Sequence, residues 1–267
     1  MASEERGTSL PTPIPSPTQN KRSGNLRSVR NALAALEAFD SEHHELGVTQ
    51  IAERLGLPVS TAHRLLGVLA DCGYLEATKG RTYRLGVKVL EIGTHMLDHR
   101  GFSGIAFPYV KGLADLTNET VNMAVLDGDE IVYVVVVPTK EVLRPYFAVG
   151  RRHQALKTAL GKAVFAFSVD PAGWPGHMWG ELNTVKRQGV AYDREESDKG
   201  VLCVAVPVLD KEKRAIAALS VSGPTSRLTE DRIQSFLPSL KETGQALSAC
   251  LVRHATLIPA WERMDRE

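Results

Sequence analysis

Cysteine is scarce in this 267-residue chain. Cys72, Cys203 and Cys250 are far apart, and no C-x-x-C pair occurs. That excludes a disulfide framework and a cysteine zinc cluster. Net charge is nearly absent as well, with 32 Lys plus Arg against 31 Asp plus Glu, a formal +1. No global field draws such a chain to DNA or to a membrane, so any attraction of that kind must be local. Long apolar runs are missing too. The longest, Ile131–Val137 and Val201–Leu209, fall far short of the roughly 20 residues that span a bilayer. The amino end carries Glu4 and Glu5 and no apolar core, unlike a secretory signal peptide, so the expectation is a cytoplasmic protein with no membrane partner. Catalytic signatures are missing: H-E-x-x-H, G-x-S-x-G and G-x-G-x-x-G do not occur. The chain is therefore expected to have no catalytic residues, no metal and no cofactor.

What is present is 43% apolar and 24% charged residues, the mix of a soluble globular protein. Its length allows two modest domains or one large one. Residues 1–25 alternate Pro11, Pro13, Pro15 and Pro17 with small polar residues and read as a disordered tail, and residues 255–267 as a second tail. That tail ends in Lys21 and Arg22, followed by Arg27 and Arg30, with no acid over 21–30. It is either a solubilising arm or a basic arm that touches phosphates.

From Ser28, a plausible N-cap, Val29, Leu33 and Leu36 with Ala32, Ala35 and Phe39 follow the spacing of a buried helical stripe. Thr49 can cap a second short helix that Gly56 stops, and Ser60 opens a third, reaching about Cys72. On the third helix Ala62, Leu65, Leu66 and Leu69 face inward, leaving Ser60, Thr61, His63, Arg64 and Gly67 outside. Two strands, 74–76 and 82–85, flank a turn at Thr78–Arg81, where Gly80 supplies the positive-φ option. Three helices and a hairpin make a winged helix-turn-helix over 26–88, followed by a connector helix within 86–102.

The second half reads as an α+β domain over 103–254, large enough to bury its own core. A helix near Gly104–Leu116 leads to a hairpin, Thr120–Leu126 and Glu130–Val137, around Asp127-Gly128-Asp129. Thr158–Phe167 reads as a helix, Val201–Leu209 and Arg214–Ser222 as a second antiparallel pair, and Thr229–Val252 as a long helix.

A recognition helix must present short polar side chains and cations where it enters the major groove, and Ser60, Thr61, His63 and Arg64 have that placement. The wing adds Lys79 and Arg81. Over 57–88 five cations (Arg64, Lys79, Arg81, Arg84, Lys88) face two acids (Asp71, Glu76), although over 26–99 the balance is eight against nine. The competing reading is a solvated face used for protein contacts. Leu160-Gly161-Lys162-Ala163 superficially resembles the end of a phosphate-binding loop but lacks its first Gly and its Ser or Thr, so Gly161 is read as a packing position and Lys162 as exposed. Cys203, in an apolar strand, is read as a buried inert thiol, with a redox role as the alternative.

These residues resemble the IclR family of bacterial transcription regulators. The segment Ile51–Leu66 is similar to the family's helix-turn-helix, and Tyr83-Arg-Leu-Gly with Ile92-Gly93 to its wing and linker start. Thr158–Ala163, Gly189–Asp193 with Glu196, Gly200 and Cys203, then Ala205–Val208 and Ser220–Pro224, resemble motifs of its effector domain. The resemblance implies a winged helix joined by a linker helix to a GAF-like effector domain. It implies double-stranded DNA with a palindromic operator as partner, a homodimer or dimer of dimers, and a regulator that is more often a repressor. Contacts to DNA would come from Ser28, Thr49, Ser60, Thr61, His63, Arg64, Lys79 and Arg81. Family pockets carried over by position place Ala159 and Leu160 on the floor, Asp193, Cys203, Ser220 and Ser222 as polar contacts, and Val142, Pro145, His153 and Val201 on the wall. A helix start near Thr158 and the cations Arg144, Arg151, Arg152 and Lys157 suit a carboxylate effector. A GAF-like redox enzyme using Cys203 and an architectural DNA-binding module without sequence preference are the alternatives.

Overall fold

The computed structural model describes residues 26–40, 42–97 and 102–253. Both expected tails lie outside them, with Lys21 and Arg22 of the basic run, whereas Arg27 and Arg30 are described. The chain divides between Thr94 and His95 into two compact units.

The first unit contains α1 (Arg27–Glu37), β1 (Leu46–Gly47), α2 (Val48–Leu55), α3 (Val59–Asp71), β2 (Leu75–Ala77), β3 (Thr82–Leu85) and the start of α4 (Val87–Leu97). Ala35, Phe39, Leu46, Ile51, Leu66, Leu69 and Leu75 close a small core between the helices and the hairpin. The strands form a three-stranded antiparallel sheet in the order β1-β3-β2. Four expectations are corrected here. Ser28 lies inside α1, whose N-cap is Leu26 with no side-chain cap. Thr49 does not cap α2. Pairing of Leu46–Gly47 with Thr82–Tyr83 fixes the chain's entry, Gly47 becomes the N-cap, and its N–H donates to the Gln50 Oε1 at 2.8 Å. Val29 and Leu33 are about half exposed rather than buried, so only the Ala35–Phe39 side of α1 faces the core. The positive-φ residue of the wing turn is Arg81 (φ 59°) rather than Gly80. Arg81 N–H donates to Thr78 O and Thr78 N–H to Thr82 O, so the left-handed position falls one residue after the turn, at the bulge.

The second unit is built on a six-stranded antiparallel sheet in the order β6-β5-β4-β9-β8-β7. Its strands are β4 (Thr120–Asp127), β5 (Glu130–Val137), β6 (Arg152–Gln154), β7 (Ala191–Arg194), β8 (Val201–Leu209) and β9 (Ala215–Pro224). One face carries Val121, Met123, Val204, Val206 and Val221 against α5 (Phe102–Thr117) and α8 (Glu230–Arg253). The other carries Ala124, Tyr133, Ala205 and Ala218 against α6 (Ala159–Ser168) and α7 (Trp179–Gln188). A bulge places both Val134 and Val135 on the first face and so keeps Tyr133 on the second. Thr158 is the N-cap of α6, its Oγ1 accepting from Gly161 N–H at 3.0 Å. Gly161 is a packing position: a Cβ there would stand 2.1 Å from the Ala155 carbonyl oxygen.

Candidate DNA-reading surface and candidate effector site

On α3, Ala62, Leu66 and Leu69 are buried, which turns the next positions outward. Ser60, His63 and Arg64 are exposed and Thr61 is half-buried, and no described interaction engages their side chains. Thr49 and Ser28 are exposed on α2 and α1. The wing is braced from within: Thr82 Oγ1 donates to the Glu45 carboxylate, which Thr78 and Thr82 together hold below the usual carboxylate range. The local positive charge is narrower than the sequence suggests. Arg84 makes a fork to both carboxylate oxygens of Glu76 at 2.9–3.0 Å, and Lys88 pairs with Glu91 at 2.7 Å. Of the five cations over 57–88, and among the described residues, that leaves Arg64, Lys79 and Arg81 as exposed cations without a partner, one on the helix and two at the hairpin tip. This geometry, a polar helix face flanked by a charged hairpin, suits a major groove and its adjoining phosphates.

In the second unit, register places a polar band across the sheet face that looks at α6. Asn122 pairs with Ser220, and Asp193, Cys203, Ser222 and Thr120 stand side by side on four successive strands. Asn122, Asp193, Ser220 and Ser222 are essentially without solvent exposure. Asn122 Nδ2 donates to Ser222 Oγ at 3.2 Å, and the two serine hydroxyls lie 3.5 Å apart. Asn122 Oδ1 is buried with no partner, as is His153 Nε2. A buried acceptor left open in a polar setting calls for a donor from elsewhere. His153 stands edge-on to Tyr133 (centroids 5.8 Å apart), which in turn packs against Phe147 at 5.3 Å. Burial, followed by the charge of Arg151, lowers the His153 pKa. Burial pushes the Cys203 thiol up to about 12, against a weaker pull from the Ser222 hydroxyl. Such a shift favours the neutral thiol at neutral pH, the direction expected of a buried cysteine.

Ala159 and Leu160 form the buried first turn of α6, and among the described residues nothing accepts a hydrogen bond from their amides. Pro145 and Val201 are half-buried, but Val142 is fully exposed and is not brought to the band. The expected cluster of loop cations is also dispersed. Arg144 donates to Thr139 O, Arg151 to Tyr146 O, and Arg152 to the Glu130 and Asp127 carboxylates at 2.6 Å, so three of the four expected cations already have acceptors within the protein. Asp193 accepts from Glu196 N–H (2.8 Å), Ser197 N–H (3.3 Å) and Ser197 Oγ (2.5 Å). Burial raises its pKa and these hydrogen bonds pull it down.

Lys162, expected at the surface, is fully buried. Its Nζ donates to Glu196 at 2.6 Å, to Glu181 at 2.7 Å and to Tyr192 O at 2.9 Å. It ties α6 to α7 and to the turn that holds Asp193. The sequence does carry a signal for this: Lys162 is the sole charge in the otherwise apolar Ala159–Ser168 helix.

A winged helix with an unpaired cationic reading face, followed by a sheet unit with a buried polar band, defines a DNA-binding regulator. The IclR helix-turn-helix domain matches residues 28–79, and the bacterial transcriptional regulator IclR C-terminal domain matches 94–172 and 175–249. The HTH-type transcriptional regulator XynR of Escherichia coli is 34% identical over 245 residues, covering 85% of this chain and 97% of that protein. The E. coli regulator KdgR is 29% identical, covering 88% and 96%. The crystal structure of Thermotoga maritima IclR superposes with a TM-score of 0.69 at 26% identity, over 84% of this chain and 98% of that one. An IclR homologue from Microbacterium hydrocarbonoxydans complexed with 4-hydroxybenzoate shares the fold, with a TM-score of 0.72 at 21% identity over 85% and 99%. The chain belongs to the IclR family and is a DNA-binding transcriptional regulator.

Proposed function

We propose that this regulator is a repressor whose hold on a palindromic operator is set by a small hydroxylated organic acid bound between α6 and the sheet. The observation that carries the reading is Asn122 Oδ1, an acceptor with no partner in a wholly buried polar band. It asks for a ligand hydroxyl, as do Ser220 and Ser222, while the amides of Ala159 and Leu160 at a helix start suit a carboxylate. Asp193 repels such an anion less than a lone aspartate would, because its charge is already spread over three donors and its pKa is raised. His153, Val201 and the half-buried Pro145 would flank the ligand. Repression is supported by relatives such as the E. coli transcriptional repressor IclR, 27% identical over 234 residues.

Two copies would place two recognition helices on successive major grooves, about 34 Å apart. The exposed apolar residues Leu26, Val29 and Leu33 on one side of α1, with Val87 and Leu90 on α4, support a dimer, and a dimer of dimers is compatible. A thermal-shift screen of aliphatic and aromatic hydroxy acids tests the effector. At 100 times its dissociation constant a true ligand adds about 2.7 kcal/mol. Ser220→Ala with Ser222→Ala should abolish that gain and the ligand's effect on operator binding, with binding of the unliganded protein unchanged. A full response in the double variant refutes the site.

A further inference from the structure

We propose a second ligand site, for a small amphipathic anion, at the end of β8 opposite Cys203. A cleft of about 700 Å³ opens there between the β8–β9 turn, the end of α6 and the last turns of α8. Its size falls within the range of small-molecule sites. Phe167, Val206, Leu209 and Val252 give it an apolar floor, and Lys213, Lys241 and Arg253 stand around it. Lys241 spends one donor on Gln188 O at 3.3 Å, the Arg253 charge also acts on Tyr109, and Lys213 is exposed at the β8–β9 turn. The one acid lining the cleft, Asp210, is tied to Arg214 at 2.9 Å. An apolar body with a carboxylate or phosphate head matches this surface.

The strand edge inside the cleft favours a small molecule over an extended peptide. β7 covers β8 only at Leu202–Ala205. Beyond that point Pro207 has no N–H, and Leu209 N–H donates to Ser248 Oγ at 2.8 Å. The edge therefore keeps no free donor at these two positions for an added strand. Cys203 and Leu209 are six residues apart on one strand, about 20 Å at strand rise, so this site is separate from the polar band.

Isothermal titration of the full chain with octanoate and octyl phosphate tests the proposal, with 1-octanol and inorganic phosphate as controls. At least one octyl anion should bind, with each control at least tenfold weaker, and the preferred head group tells a free acid from a phosphate ester. Lys213→Glu with Lys241→Glu should weaken binding at least tenfold. Ala249→Trp, an exposed α8 position on the cleft, should remove it, with melting temperature and circular dichroism unchanged in both variants. Ser220→Ala with Ser222→Ala should leave it intact, so this test stands whether or not the first site is right. No binding of either anion, equal binding of octanol, or binding lost in the serine variant and kept in Ala249→Trp would overturn the proposal.

Discussion

The buried ammonium of Lys162 lies 2.6 Å from both carboxylate oxygens of Glu196, although Glu196 itself remains 39% exposed. This asymmetry predicts unequal mutational costs. Replacing Lys162 with Met leaves two glutamates that can turn to water, and should cost about 1–3 kcal/mol. Replacing Glu181 and Glu196 with Gln leaves an ammonium with no exposed surface and no counter-charge, and should cost about 3–5 kcal/mol. Urea unfolding of the two variants checks the order. Equal costs would mean that the lysine is reached by water in solution.

The reading face gives a sharper set of outcomes, measured by fluorescence anisotropy on operator DNA across a salt series. Arg64→Ala should cost about 1–3 kcal/mol on the operator and much less on random DNA, as removal of a base contact does. Arg81→Ala should weaken binding on all sequences and lower the salt slope by about one. Removing Arg84 and Glu76 together should leave the slope as it was, because the two already neutralise each other.

The parts legible in the sequence are those whose signal is local. The outward polar face of α3, the Gly128 hairpin, the β8 span and the start of α6 all follow from side chains within a few residues of each other. The two-residue β1 and the polar α7, with only Leu182 and Val185 buried, carry no such pattern. The burial of Lys162 depends on Glu181 and Glu196, 19 and 34 positions away, so a charge read by itself was placed in water. The exposure of Val29 and Leu33 is likewise hidden, since helical spacing shows which side chains share a face but not whether anything covers it. In the candidate site, Ser220 and Ser222 come from the family resemblance, and their spacing of two says only that they share a strand face. Asn122 was not, because strand pairing brings it there from 100 residues away.

Acid should act on the second unit through His153. Its pKa is lowered in the folded chain from an ordinary 6.5, with burial as the main cause. The unfolded chain then binds more protons at this ring, so its contribution to stability falls as pH drops below about 6.5 and levels off below the lowered folded pKa. Asp193, whose pKa is raised, acts in the opposite direction. Comparing wild type with His153→Gln between pH 7.5 and 5 isolates the histidine: wild type should lose the more stability on acidification. Parallel pH curves would place the ring in contact with water.

Two glycines should report on the two units separately. A Cβ at Gly86 would meet Gly73 O at 2.2 Å, and one at Gly161 would meet Ala155 O at 2.1 Å, so backbone must move in either case. Each alanine variant should cost about 1–3 kcal/mol or more. Gly86 closes the wing, its N–H donating to Tyr74 O at 2.7 Å, so Gly86→Ala should depress operator affinity and hydrogen-exchange protection of residues 46–85 while leaving the sheet unit protected. Gly161→Ala should loosen the first turn of α6 and the strands beneath it while the winged helix keeps its protection. Loss of protection throughout the chain in either variant would show that the two units fold as one cooperative body.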